Sequence, residues 1–176
     1  MSAKKIYFSS SFRDLGLYRA KASEVLRYLA DFFLLVRPVE EMLPGSSQPP
    51  LIDCLEYVQQ CDIYVLIIGK IYGAIPGSQE KSFTQFEYEK ARNSGKIILP
   101  FIADNNAPDL MEEIEHKNLF DEFKGEVMQN YVTYIRPFSN PDGLGWQLSV
   151  ALTRYAVNKG NANTSDESSG KDDSAV

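Results

Sequence analysis

Few residues in this chain of 176 are of a type and spacing that could do chemistry, and the most suggestive is a glutamate. The stretch "KSFTQFEYEKARNS", residues 81–94, reads as one amphipathic helix with Glu87 and Glu89 two positions apart. A helix turns about 100° per residue, so Phe83 and Ala91, four positions to either side, lie within about 40° of Glu87. Glu87 therefore projects from a partly apolar stripe, where a carboxylate can be partly desolvated and interact more strongly with a cation. Glu89 points about 160° away, beside Gln85 and Arg92, and reads as an ordinary solvated charge. The plainer alternative is that Glu87 is solvated too, or pairs with Lys90.

Two further groups carry possible chemistry. In "SSSFRD" the hydroxyls of Ser9, Ser10 and Ser11, the ring of Phe12 and the start of a helix could receive a phosphate through backbone N–H groups, with Arg13 adding charge. In "GKIYGAIPGSQEKS" the glycines Gly69, Gly73 and Gly77 permit close backbone approach, and the chain then runs past Tyr72, Ser82 and Phe83 into the Glu87 helix. Each group has a structural alternative. The serines suit a helix cap, Phe12 and Tyr72 suit packing as well as ring stacking, and Arg13 suits a pair with Asp14 or Glu40. The glycines match neither GxGxxG nor a Walker pattern. Cys54 and Cys61 have no partner at metal-ligand spacing and read as small core residues in a reducing compartment. His116, in the charged run "MEEIEHKN", reads as solvated, which argues against a Ser-His or Cys-His pair and against a metal site.

The elements that must position these residues follow from hydrophobic pattern. Five runs, "KIYFSS" (5–10), "FLLVRPV" (33–39), "DIYVLIIG" (62–69), "KIILPFIA" (96–103) and "YVTYIRPF" (131–138), alternate with helical stretches. Several runs are continuously apolar, as strands covered on both faces must be. In the first helix Tyr18, Ala22, Val25, Leu26, Leu29 and Phe33 recur at three- and four-residue steps. Helices also fit "LIDCLEYVQQC", "PDLMEEIEHKNLFDEFKGEVMQ" and "GLGWQLSVALTRYAV". The expectation is an α/β three-layer sandwich with a five-stranded parallel sheet in the flavodoxin-like order 2-1-3-4-5. In such a sheet ligands gather beyond the carboxyl ends of strands 1 and 3, where the serine run, the glycine loop, the Glu87 helix and the 40–50 loop would converge.

Bulk properties narrow the function. Residues 1–157 suffice for one domain, and 158–176, "NKGNANTSDESSGKDDSAV", lack any apolar period and are expected to be a disordered polar and acidic tail. A net charge of −6 and a pI near 4.9, with basic residues scattered singly, argue against nucleic acid as a partner. No apolar run reaches the roughly 18 residues needed to span a membrane, and "MSAKKIYFSS" enters a strand pattern directly, so a soluble, cytoplasmic chain is expected.

Over residues 4–157 the sequence resembles a Toll/interleukin-receptor (TIR) domain. The likeness is carried by "KIYFSSSFRDLGLYR" and "LIDCLEYVQQCDIYVLIIGKIYGAIPGSQEKSFTQFEYEKARNSGKIILPFI". "SSSFRDL", "CDIYVLIIGKIYG" and "SFTQFEYEKA" resemble more narrowly the TIR-related domain at the amino end of large immune NTPases. In catalytic TIR domains a glutamate on the third helix cleaves NAD at its nicotinamide-ribose bond, and the matching residue here is Glu87. Those domains usually carry Trp three or four residues before the glutamate, where this chain has Thr84 and Phe83. The resemblance implies NAD as substrate, no separate cofactor, and Ser9, Ser10, Ser11, Phe12, Arg13, Gly69, Tyr72, Ser82 and Phe83 as candidates to surround it. A TIR chain without receptor or NTPase parts is similar to the signalling subunit of Thoeris antiphage systems, whose NAD-derived messenger activates an effector. That likeness implies self-association or an effector protein as partner. "SFTQFEYEKA" also loosely resembles the "GTxxEIGxA" motif of nucleoside 2-deoxyribosyltransferases, and many TIR domains act only as adaptors.

Overall fold

The computed structural model describes residues 2–36, 50–113, 115–131 and 136–168. Their order is β1 (Lys4–Ser10), α1 (Gly16–Tyr28), β2 (Phe33–Leu35), α2 (Pro50–Gln60), β3 (Ile63–Ile68), α3 (Phe83–Asn93), β4 (Ile97–Ile102), α4 (Lys117–Tyr131) and α5 (Pro141–Ser168). The strands pair in parallel in the order β2-β1-β3-β4.

The period-two alternation of a strand decides what each side of the sheet meets. Ile6 and Phe8 of β1, with Ile63, Val65 and Ile67 of β3, join one buried cluster with Tyr18, Ala22 and Leu26 of α1 and Leu144, Leu148 and Leu152 of α5. Tyr7 of β1, with Tyr64, Leu66 and Ile68 of β3, joins a second with Val58 of α2, Tyr88 and Ala91 of α3 and Phe120, Phe123 and Val127 of α4. Helices therefore cover both faces, which is why β3 is buried throughout and its sequence shows no alternation. The register sets Tyr7 beside Tyr64 and Ser9 beside Leu66, and the two tyrosine rings stack at 6.1 Å.

The expected five strands become four among the described residues. Of the run 131–138, Tyr131 closes α4, 132–135 lie outside the described residues, and Phe138 makes one isolated parallel bridge to Ala103. The neighbouring Pro137 has no N–H to extend a ladder there. Pro100 lies opposite Leu66 in β4, the last strand of the described sheet. The first helix ends at Tyr28, with Leu29 as its cap, so Phe33 reaches the same cluster from β2 and not from the helix. α5 runs to Ser168, past the boundary expected at 157, because adding residues to an established helix costs far less than nucleating one. No helix among the described residues is long and apolar enough to cross a membrane.

Candidate active site

Glu87 is 5% exposed, in the second turn of α3, and faces the sheet. The start of that helix is fixed by Ser82, whose Oγ accepts the Gln85 N–H at 3.3 Å, and by the Phe83 N–H, which donates to the Ala74 carbonyl at 3.0 Å. Counting from that cap puts Thr84, Glu87, Tyr88 and Ala91 on the buried face. The Tyr7 hydroxyl donates to one carboxylate oxygen of Glu87 at 2.9 Å, and the Ser9 hydroxyl donates to the other. These donors stand two residues apart on β1 and so share one face of the sheet. Cys54 of α2 faces the same carboxylate with its thiol.

Burial pushes the Glu87 carboxyl above its ordinary range, while the Ser9, Tyr7 and Cys54 donors and the charge of Arg19 pull it part of the way back. The donors answer in kind. Burial, then the Glu87 charge, raises Tyr7 far above the usual phenol range, and the same two causes push Cys54 up to about 12. Both remain protonated at neutral pH, as hydrogen-bond donors and not nucleophiles.

Ser10 points to the opposite side of β1, where the Arg19 guanidinium of α1 donates to its Oγ at 2.7 Å. Arg19 is 5% exposed, and its guanidinium carbon lies 4.3 Å from the centre of the half-exposed Phe12 ring. Between this group and Glu87 opens a cavity of about 230 Å³, at the carboxyl ends of β1 and β3, where the strand order reverses. Its walls are Phe8, Ser10, Ser11, Phe12, Arg13 and Arg19 on one side, with Pro50, Cys54, Gly73, Ala74, Phe83, Thr84 and Glu87 completing it. A second hollow of about 390 Å³, lined by Asp104, Asn105, Lys124 and Pro137 among others, holds no buried acid among the described residues.

The structure brings together six of the expected residues, Ser10, Ser11, Phe12, Arg13, Phe83 and Glu87, as cavity walls, and Ser9 as a donor to Glu87. Three expected residues neither line the cavity nor donate to Glu87. Gly69 is a backbone approach: a Cβ there would stand 2.3 Å from Asp14 Oδ2. Tyr72 is buried in packing, its hydroxyl donating to Gln85 and its ring edge-on to Phe123 and His116. Ser82 is the helix cap. His116 is accordingly half-buried against Tyr72, and Glu89 is half-buried in an ion pair with Lys81 at 2.8 Å, so neither is simply solvated. The 40–50 loop lies outside the described residues except for Pro50, which lines the cavity.

Pattern reading missed Tyr7, Arg19 and Cys54. A signal existed for each. Tyr7 shares parity with Ser9. Arg19 precedes the apolar Ala22 and Leu26 by three and seven residues, and Cys54 precedes Val58 and Cys61 by four and seven.

Asp14 ties the two loops of the site together. It accepts from Ser11 and from the Lys70 backbone N–H at 3.1 Å, across the space that Gly69 leaves open. Gly73, at φ 91°, turns the second loop so that its backbone lies against Ser11. Among the described residues no group of His, Cys, Asp or Glu is disposed to hold a metal ion.

None of the curated proteins matches this chain. Among solved structures it is similar to the TIR domains in "Structure of the activated Roq1 resistosome directly recognizing the pathogen effector XopQ", at 11% identity and a TM-score of 0.46, over 86% of this chain and 84% of that one. A family model described as "Domain of unknown function (DUF4062)" matches residues 5–153, which take in the sheet from Lys5 onward and every wall of the cavity, and the chain belongs to that family.

Proposed function

We propose that this chain is a TIR-like enzyme that cleaves the N-glycosidic bond between nicotinamide and ribose in NAD. One observation supports the reading above the others: a single buried carboxylate, Glu87, forms a wall of a cavity at the β1/β3 crossover. As the C1′–N bond breaks, its electron pair passes to the nicotinamide nitrogen, which becomes neutral. The ribose acquires oxocarbenium character, and water then adds at C1′ with loss of a proton, giving ADP-ribose. The leaving group is already cationic, so no general acid is required, which suits a site with no histidine. A desolvated carboxylate held against the ribose stabilises the developing cation or binds the ribose hydroxyls. Tyr7, Ser9 and Cys54 take three of the roughly four lone-pair sites of the carboxylate, which leaves it the capacity to accept once more.

The volume is below the roughly 300–1,000 Å³ of pockets that enclose a drug-sized ligand, so the nicotinamide riboside part occupies it and the adenylate half extends past the rim at Arg13. The resemblance to the Thoeris signalling subunit extends the reading to a cytoplasmic role in antiphage defence, in which the product signals to an effector or NAD is depleted. Self-association is the other partnership that resemblance suggests.

Incubation with NAD and chromatography for nicotinamide tests the activity. Glu87→Gln is expected to lower turnover by at least about a hundredfold, while Glu89→Gln, whose parent residue pairs with Lys81, retains it. Intact NAD under all assembly conditions would leave a docking module, and a preference for deoxynucleosides would turn the reading to a deoxyribosyltransferase.

A further inference from the structure

Glu87 is not the only polar residue that α3 brings to the cavity. Thr84 stands three residues earlier on the same buried face and lines the same space at 6% exposure. Residues three apart on a helix are neighbours, with about 5–6 Å between their Cβ atoms. The Thr84 carbonyl accepts from the buried Tyr64 hydroxyl at 3.5 Å, which with the Ser82 cap fixes this turn of the helix. Its side-chain hydroxyl, by contrast, has no hydrogen-bond partner among the described residues. Nor is that oxygen sealed in, for among those residues the Tyr18 hydroxyl alone is both unpartnered and shut away from solvent. The Thr84 hydroxyl borders Gly73, another wall of the cavity, where even an added Cβ would stand 3.7 Å from it. A hydroxyl covered on most sides and open to a cavity is suited to a polar group of whatever fills it.

We infer that Thr84 is a specificity-determining residue whose hydroxyl binds one of the two vicinal hydroxyls of the ribose being cleaved, beside Glu87, which accepts from the other. The inference rests on the glycosidic reading, which puts the sugar at Glu87. The match is one of capacity. With Tyr7, Ser9 and Cys54 on it, the carboxylate accepts once more, so it holds a single sugar hydroxyl and leaves the adjacent one in need of a partner. A threonine hydroxyl both donates and accepts, so it satisfies that second group in either sense. Its β-branched side chain has little rotamer freedom to lose on binding. Ribosyl ligands are then preferred over 2-deoxyribosyl and 3-deoxyribosyl ones, because a missing hydroxyl leaves a covered polar group unpaired.

Binding is separated from cleavage by the NAD analogue in which a methylene replaces the ring oxygen of the nicotinamide-bearing ribose, since it cannot form an oxocarbenium ion. Calorimetry on the full chain compares this diol with its 2′-deoxy and 3′-deoxy counterparts. The diol is expected to bind about tenfold more tightly than either. Thr84→Val is expected to weaken the diol about tenfold and to become indifferent to one of the two hydroxyls, while the other still counts through Glu87. Thr84→Ser, which keeps the hydroxyl, is expected to restore most of the difference. The inference is overturned if the unaltered protein does not bind the diol or binds all three analogues alike. It is overturned equally if a folded Thr84→Val protein still discriminates at both positions, or loses affinity for all three by one factor, as a merely structural role would have it. If the expected pattern appears while NAD stays intact, the ribose site stands and the cleavage reading falls. If NAD is cleaved and the pattern is absent, the cleavage reading stands and this inference falls.

Discussion

At the scale of the residue, Glu87 is a stability cost retained at a site of possible chemistry. Taking a carboxylate out of water is unfavourable by several kcal/mol after relaxation, and hydroxyl donors from Tyr7 and Ser9 offset only part of that. Because burial raises its pKa, the folded chain holds this proton more tightly than the unfolded chain does. The stability linked to it is complete below the ordinary carboxylate range and is lost as pH rises through the folded-state value. Glu87→Gln is accordingly expected to melt a few degrees above the unaltered protein at pH 8, with the gap closing by pH 4. Thermal unfolding followed by circular dichroism checks this. A variant that melts lower than the parent by the same margin at both pH values would mean that the donors fully compensate the charge.

The elements decide which residues meet. β1 and the residue after it carry three successive serines into the site, yet the strand's alternation sends Ser9 to Glu87 on α3 and Ser10 to Arg19 on α1, on opposite sides of the sheet. Ser11, past the end of the strand, turns to Asp14 instead. One run of identical residues thus serves three partners through backbone geometry alone. Asp14 in turn couples the loop after β1 to the loop after β3, and Gly69 makes room for it. Burial raises the Asp14 carboxyl, and the donors from Ser11 and Lys70 counter that, so displacing the side chain forfeits hydrogen bonds to a partly buried charge. Gly69→Ala is expected to destabilise the chain by about 1–3 kcal/mol in urea denaturation and to weaken binding at the cavity. An alanine variant with unchanged stability would show that Asp14 can move aside freely.

On the scale of the whole molecule, two apolar clusters sandwich the sheet, and the site lies where they end. Among the described side chains of α5 the last fully buried one is Leu152, with Tyr155 and Ala156 packed at the margin of the first cluster. The stretch 158–176 is almost devoid of apolar residues, so it has little to bury. Truncation after Asn158 is expected to shift the melting temperature by less than about 2 °C and to leave the cavity's ligand affinity unchanged. A larger loss would mean that the end of α5 docks on the domain.

Continuous apolar runs alternating with 3.6-residue periodicity were enough to read a parallel α/β sheet, its crossover between the first and third strands, and the inward aim of Glu87, because those features depend on local period and chain order. Strand count and partnership were not. The end of the fifth run contributes a single bridge, and Tyr72, which looked like a ligand platform, is packed against Phe123. That Tyr7 and Cys54 meet Glu87 across 80 and 33 positions, or that Arg19 is buried opposite, is set by register and by which helix crosses which face. Sequence alone determined the layers and the acid. Only the tertiary structure decided its donors and the facing cation, because contacts between residues far apart in the chain are fixed by packing and not by local pattern.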